Sequence, residues 1–426
     1  MNNLTEIKLK AKELLDKNTQ FGFKNGKKYI FTAPSIKHYP FQWFWDSCFH
    51  AIIWTHFDVN RAKDEIRSLL VWQSEEGFIP HVIFWNRKKA MTKSWHYFES
   101  KPWFTLPLIP ISIAKPETTA QIQPPIIAQS VERIYKKSGD INFVKETFPF
   151  LVKYYKWLSS TRDRDGDGLI SIISPSESGL DFCPAYDNFL GLKNPNALSL
   201  FFKMGLVTFL NKINCYNLPR IFDSDRFVVK DVSMNSYFIE NLKSLARLAE
   251  IVGDKEMVIW AKALAEKTLN SLLSKSYDSK TDVFLNLCGK KEIKSKALTI
   301  ASLMPLIISD LPKFIVQKMV EKYILNSDKF WLPYPIPSVA KDESEFRPDS
   351  ELNGIAYDWR GGTWLNINWF LIHGLRNHGF SEIADKIKEK SIEMVKKSGF
   401  YESFNPITGE GIGAKDFSWT ALVIDM

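Results

Sequence analysis

The chain is poor in cysteine. Cys48, Cys183, Cys215 and Cys288 are scattered over 426 residues without C-x-x-C spacing. That pattern argues against a zinc ribbon or a disulfide framework and fits reduced thiols in a cytoplasm. Long apolar runs are also missing. No window approaches 18 uninterrupted apolar residues, so no segment reads as a membrane span. The first residues, MNNLTEIKLKAKELLDKN, read as a polar amphipathic helix without the apolar centre of a signal peptide. A cytoplasmic protein acting on a small or internal substrate is the expectation. The formal net charge is +8, yet the lysines never gather into a block, so the basic excess reads as solvated surface and not as a nucleic-acid face. G-x-S-x-G, H-E-x-x-H and a nucleotide-binding glycine loop are all absent, and the seven histidines are dispersed. A serine nucleophile, zinc hydrolysis and nucleotide chemistry therefore lack their equipment. Neither a cofactor nor a metal is expected, and no membrane partner. The oligomeric state is left open.

What is present is apolar and aromatic. Hydrophobic residues make up 45% of the chain and aromatics 14%, enough for a large core. Helical periodicity dominates. Phe238, Leu242, Leu245, Ala249 and Val252 recur every three or four residues and line one helix face. Gly253 offers a left-handed stop, and Asp254 an N-cap for a second helix carrying Val258, Ala261, Leu264 and Leu272. The same pattern predicts helices near 5–17, 45–57, 61–73, 121–137, 142–160, 196–212, 234–252, 255–273, 297–309, 312–325, 362–378, 382–398 and 415–425. Segments 168–174 and 281–287 read as short strands. No linker divides the chain, so residues 1–426 read as one unit. Two long irregular regions, 75–120 and 326–361, are rich in aromatics, and ordered loops of that length are usually functional. About a dozen helices in successive hairpins, with no fixed repeat period, favour an all-α (α/α)6 barrel over a solenoid. Its long loops would converge on a pocket at one end, with at most a few short strands.

Acids and aromatics cluster in four places. In YPFQWFWDSCFHAIIW, residues 39–54, Tyr39, Trp43 and Trp45 precede Asp46. Asp46 reads either as a helix N-cap beside core aromatics or as part of a sugar platform. Flat rings stack on pyranose faces, and a fixed carboxylate grips neighbouring hydroxyls. In IQPPIIAQS, Gln123 reads as a cap or a ligand. In RDRDGDGLI, Asp163, Asp165 and Asp167 imitate the start of an EF-hand loop, but the twelfth position is Ser174 where a glutamate belongs. A tight polar turn into a strand is the better reading, with an ion left open. The following SPSESGLDFCPAYD holds Glu177, Asp181 and Asp187. Leu180, Phe182 and Cys183 surround Asp181 with apolar groups; Glu177 reads as a loop former or hydroxyl ligand, and Asp187 as a cap. The fourth place is YDWRGGTWLNINWF (357–370) followed by FYESFNPITGEGIGAKDFSWTAL (400–422). There Glu402 lies among Phe400, Tyr401 and Phe404, ahead of a glycine-rich loop. A carboxylate pair in an aromatic pocket is the equipment for breaking a glycosidic bond.

Taken together, FQWFWDSCFH, IQPPIIAQS, RDGDGL with ESGLD, YDWRGGTWLNINWF and FYESFNPITGEG with FSWTA run in order from residue 39 to 421. This series resembles glycoside hydrolase family 63 and, more loosely, the trehalases of family 37. The short chain, lacking a separate N-terminal β-domain, is similar to members that hydrolyse mannosylglycerate or glucosylglycerate. The resemblance implies an (α/α)6 barrel, inversion at the anomeric carbon, Asp181 as general acid and Glu402 as general base. Asp181 would have a raised pKa, and Glu402 would be ionised. It further implies that Trp45 and Asp46 hold the sugar, with Gln123, Trp359, Arg360, Trp364 and Trp419 lining the pocket. Tyr39, Trp43 and Tyr357 complete the expected substrate-binding set, and the partner is a small saccharide. Two departures bear on which sugar and aglycone are taken. Asp181 is followed by Phe182-Cys183-Pro184-Ala185 where family members often read N-S-P-R, and W-R-G-P becomes Trp359-Arg360-Gly361-Gly362. Arg87, Lys88 and Lys89 read as a grip on an acidic aglycone, as a lid or as ordinary surface cations. An oligosaccharide glucosidase, a trehalase, an inactive sugar-binding protein and a helical scaffold for protein partners are the alternatives.

Overall fold

The computed structural model describes residues 3–24, 26–86, 117–349, 351–352, 355–356 and 358–426. Tyr357 and the cations Arg87, Lys88 and Lys89 lie outside them. Helices dominate, and the strands are short, two to six residues each. Helix starts follow local chemistry. Asp58, Asp140, Asn196, Asp231 and Asp254 each accept a backbone N–H from the first turn of the helix they open. Gly253, at φ 82°, ends Val232–Val252 as its sequence position suggested.

Burial separates the helices into two kinds. Every residue of Phe44–Trp54 is buried, as are nearly all of Leu365–Asn377 and most of Val232–Val252. Val59–Leu70, Lys255–Ser271 and Ser381–Ser398 bury one face only. Six inner elements, among them Ile127–Ser138 with half of its residues buried, pack in sequence. Phe44–Trp54 touches Ile127–Ser138, which touches Val232–Val252, then the 3₁₀ segment Ile300–Ile307, then Leu365–Asn377, then the 3₁₀ segment Ser418–Ile424, which returns to Phe44–Trp54. Five of these are backed by the helix that follows them: Val59–Leu70, Ile141–Thr161, Lys255–Ser271, Lys313–Met319 and Ser381–Ser398. The sixth, Ser418–Ile424, is backed by the N-terminal helix Asn3–Asn18. One contiguous apolar core runs through them from Ile7 to Met426.

Several boundaries differ from the sequence reading, each for a local reason. The helix expected from 121 begins at Ile127, because Pro124 and Pro125 hold the residues before them extended. Pro305 removes an N–H inside the 297–309 segment, which forms a 3₁₀ helix, Ile300–Ile307. The C-terminal helix expected from 415 is a strand, Gly411–Lys415, paired with Tyr401–Phe404, followed by the 3₁₀ segment. A Cβ on Gly411 would lie 2.2 Å from the Tyr401 ring, so glycine permits that pairing. A second hairpin, Thr19–Lys24 with Lys27–Thr32, and the short helix Leu218–Ser224 were not read from the sequence. The expected strands contain the observed pieces Ser171–Ile172 and Val283–Phe284.

Candidate active site

The segments leading into Phe44–Trp54, Ile127–Ser138, Leu365–Asn377 and Ser418–Ile424 meet the Asp181 loop and the Glu402 strand in one cavity of about 230 Å³. It is lined by Tyr39, Trp43, Trp45, Asp46, Gln123, Asp181, Trp359, Trp364, Glu402 and Trp419. Ten of the twelve residues expected to form a site are thus brought together. Arg360 is not in the wall. It is buried, and its Nη2 donates to Asp187 Oδ1 at 2.5 Å. Asp187 is the C-cap residue of the 3₁₀ segment Pro184–Tyr186, and its side chain is also an ion-pair partner; burial, opposed by Arg360, pushes its pKa to about 6.

The Trp45 and Asp46 wall is built on the first turn of Phe44–Trp54. Asp46 does not cap this helix, whose N-cap residue is Trp43 with no side-chain cap bond. The cap comes from another part of the chain: Gln123 Oε1 accepts the Trp45 N–H at 3.1 Å. Gln123 thus caps a helix other than the one it precedes, and it also lines the cavity. Asp46 is buried in the first turn, and loss of hydration raises its pKa well above the usual range.

Asp181 follows a left-handed turn at Gly179, φ 73°. A Cβ there would stand 2.7 Å from the Trp45 ring, so glycine lets the Asp181 loop pack directly on the aromatic wall. Glu177 does not reach the cavity. Its carboxylate is fully buried and bound by Arg162 through two bonds, of 2.7 and 2.6 Å.

Glu402 sits on the strand Tyr401–Phe404. Its Oε2 accepts the Ala414 N–H at 3.0 Å from the paired strand, and Tyr39 donates to its carboxylate. A Cβ on Gly413 would be 2.7 Å from Oε2, so the glycine-rich loop is what allows the backbone this close to the acid. Trp419 Nε1 donates to the Glu402 carbonyl at 3.3 Å. Burial, and next the negative charge of Asp358, push the Glu402 pKa up to about 8. Burial also lifts Asp358, to about 6. The sequence reading had Glu402 ionised; in this pocket it holds its proton to higher pH than an ordinary glutamate.

Tryptophans supply the remaining walls. Trp359 and Trp364 stack at 3.8 Å and 10°, and Trp419 meets Trp45 edge-on at 5.5 Å. Trp359 has φ 64°, a left-handed conformation that bulky residues avoid; such strain persists where packing over-determines it and is commonest at functional sites.

Asp358, His81, Phe182, Phe201, Met204 and Phe417 also line the cavity. None of these was singled out from sequence as a site residue. Asp358 carries the same signal as the others, an acid between aromatics in a quoted motif. His81, Phe201 and Met204 carry no local signal and arrive by tertiary placement.

Residues 39–420 match the model of the mannosylglycerate hydrolase MGH1-like glycoside hydrolase domain. The chain belongs to this family and is a glycoside hydrolase. It is 27% identical to the mannosylglycerate hydrolase of Thermus thermophilus over 97% of this chain and 98% of that one. It is 25% identical to the glucosylglycerate hydrolase of Mycolicibacterium hassiacum over 91% of each. A crystal structure of the family 63 mannosylglycerate hydrolase of T. thermophilus superposes with a TM-score of 0.81, at 26% identity and over 98% of this chain and 99% of that one. The neutral trehalase of Saccharomyces cerevisiae shares the fold at a TM-score of 0.62 and 15% identity, over 97% of this chain and 78% of that one.

The EF-hand-like turn has a different use. Asp165, Asp167 and Glu292 lie close enough to hold a cation, the one such group among the described residues. Lys230 Nζ contacts all three at 2.6–2.7 Å, and Lys275 Nζ contacts Asp167 and Glu292 at 2.6 and 2.8 Å. Ammonium groups therefore supply the positive charge. Asp163 accepts the Asp167 and Gly168 N–H groups and closes the turn.

Proposed function

We propose that this glycoside hydrolase is an inverting α-glycosidase for a small α-glycoside of the mannosylglycerate or glucosylglycerate type, built as one (α/α)6-barrel domain over residues 1–426. The cyclic packing of six buried elements, each backed by another helix, supports the barrel. One observation carries the chemistry. Two acids from distant motifs, Asp181 and Glu402, line one tryptophan-walled cavity. Asp181 protonates the leaving oxygen. Glu402, once ionised, takes a proton from a water that attacks the opposite ring face. Trp45, Trp359, Trp364 and Trp419 offer faces and edges to the sugar's C–H groups, and Asp46 accepts from its hydroxyls. Both relatives' names carry a glyceric acid aglycone, which favours an acidic leaving group here.

The test is a product screen on mannosylglycerate, glucosylglycerate and trehalose, with proton NMR of the first-formed anomer. Release of the β-sugar from an α-glycoside is the expected result; first-formed α-sugar would overturn inversion. Asp181→Asn and Glu402→Gln should each lower kcat by about 10²–10⁴ with circular dichroism unchanged. Near-normal turnover in either variant sinks its assignment. Saccharide binding without any product would favour the inactive binding protein.

A further inference from the structure

We infer that Arg162 and Glu177 form a positioning clamp for the general acid, an inference that rests on Asp181 having that role. Neither residue lines the cavity. Both are buried, Arg162 at 1% exposure and Glu177 at 0%. Glu177 takes four bonds. Two come from Arg162, to Oε2 at 2.7 Å and Oε1 at 2.6 Å. The Ile122 N–H donates to Oε1 at 3.1 Å, and the Ile173 N–H to Oε2 at 2.8 Å. A carboxylate with all its acceptor positions engaged in a buried site is held in one place.

Those two amides belong to segments that lead into different walls of the active site. Ile173 enters the turn that runs through Ser176 and Gly179 to Asp181. Ile122 precedes Gln123, whose Oε1 caps the helix bearing Trp45 and Asp46. Gly179 in turn lies against the Trp45 ring. One carboxylate thus fixes the Asp181 loop relative to the Gln123 segment, and through it relative to the sugar platform. Arg162 supplies the countercharge, and it also donates to the Ser171 carbonyl at 3.4 Å, on the strand that leads into this loop. A general acid works only within hydrogen-bond reach of the leaving oxygen, so a small displacement of this loop costs rate.

The clamp makes a prediction that a merely structural ion pair does not. Loosening it should hurt substrates that need a proton on the leaving group and spare those that do not. The probes are the natural-type glycoside with an alkoxide leaving group and the glycosyl fluoride of the same sugar, whose small leaving group departs with little help. Glu177→Gln should lower kcat on the alkyl glycoside about 10- to 100-fold, within the range general acids supply, and change fluoride turnover less than about threefold, with KM nearly constant. Glu177→Gln strands a buried guanidinium and can unfold the loop. The double variant Arg162→Met/Glu177→Leu is therefore measured in parallel, since apolar replacement of a buried pair is often neutral in stability. It leaves the Ile122 and Ile173 amides without their acceptor and should show the same split between the two substrates. Equal losses on both, or full activity on the alkyl glycoside in the folded double variant, overturns the clamp. Asp181→Asn on the same substrates separates the two ideas. If it keeps activity on the alkyl glycoside, the acid assignment fails; if it loses that activity while the clamp variants show no split, the clamp alone fails.

Discussion

At the scale of single residues, the cavity's acids are distinguished by their surroundings. Glu402 and Asp358 are both desolvated, and the negative charge of Asp358 further opposes ionisation of Glu402. A general base must be ionised to act. Glu402, held at about 8, is protonated below that pH, so activity should rise as pH climbs through neutrality rather than peak in the acid range. Asp358→Asn removes the opposing charge. The Glu402 pKa then falls, and the rising limb of kcat/KM against pH should move to lower pH. A limb that stays in place would show that Asp358 does not govern the base. Asp358 was legible in principle, as an acid between Tyr357 and Trp359. Its influence was not, because proximity to Glu402 is a tertiary fact.

At the scale of elements, function sits where one segment completes another. Phe44–Trp54 lacks a cap of its own and takes one from Gln123. Gln123→Ala should cost about 1 kcal/mol as a lost cap, a Tm decrease of about 1–2 °C in a chain of this size. Because Gln123 also lines the cavity, KM should rise; an unchanged KM would reduce it to a cap. The sequence pointed to Gln123 and to the Trp45 helix separately. Nothing local joins residue 123 to residue 45. The same limit explains Asp187, whose place as a cap is local but whose ion pair with Arg360 is not.

At the scale of the whole molecule, packing of neighbouring inner elements against one another depends in part on charge. Glu132, on Ile127–Ser138, binds Arg247 at 2.7 and 2.8 Å and Lys136 at 2.6 Å. Burial alone would raise its pKa, but the two cations outweigh burial and hold it at about 2. A depressed carboxylate stabilises the fold fully above its unfolded value, near 4.5, and that stability is lost as pH falls toward 2. The melting temperature should therefore fall between those pH values. Glu132→Gln should flatten the slope and lower Tm at pH 7. An identical slope in the variant would assign acid lability to other carboxylates.

The sequence by itself determined the helical class, the stops and caps such as Gly253 and Asp254, and the motifs that hold the acids and tryptophans. These depend on periodicity, backbone preference and residue chemistry, which are local. Only the tertiary structure decided which acids share a cavity and which are tied up elsewhere. It turned Glu177 into the partner of Arg162 and the EF-hand-like turn into a lysine-bridged cluster. It also placed Asp358 where it bears on Glu402. Pairing and desolvation set those outcomes, and both depend on neighbours far away in the chain.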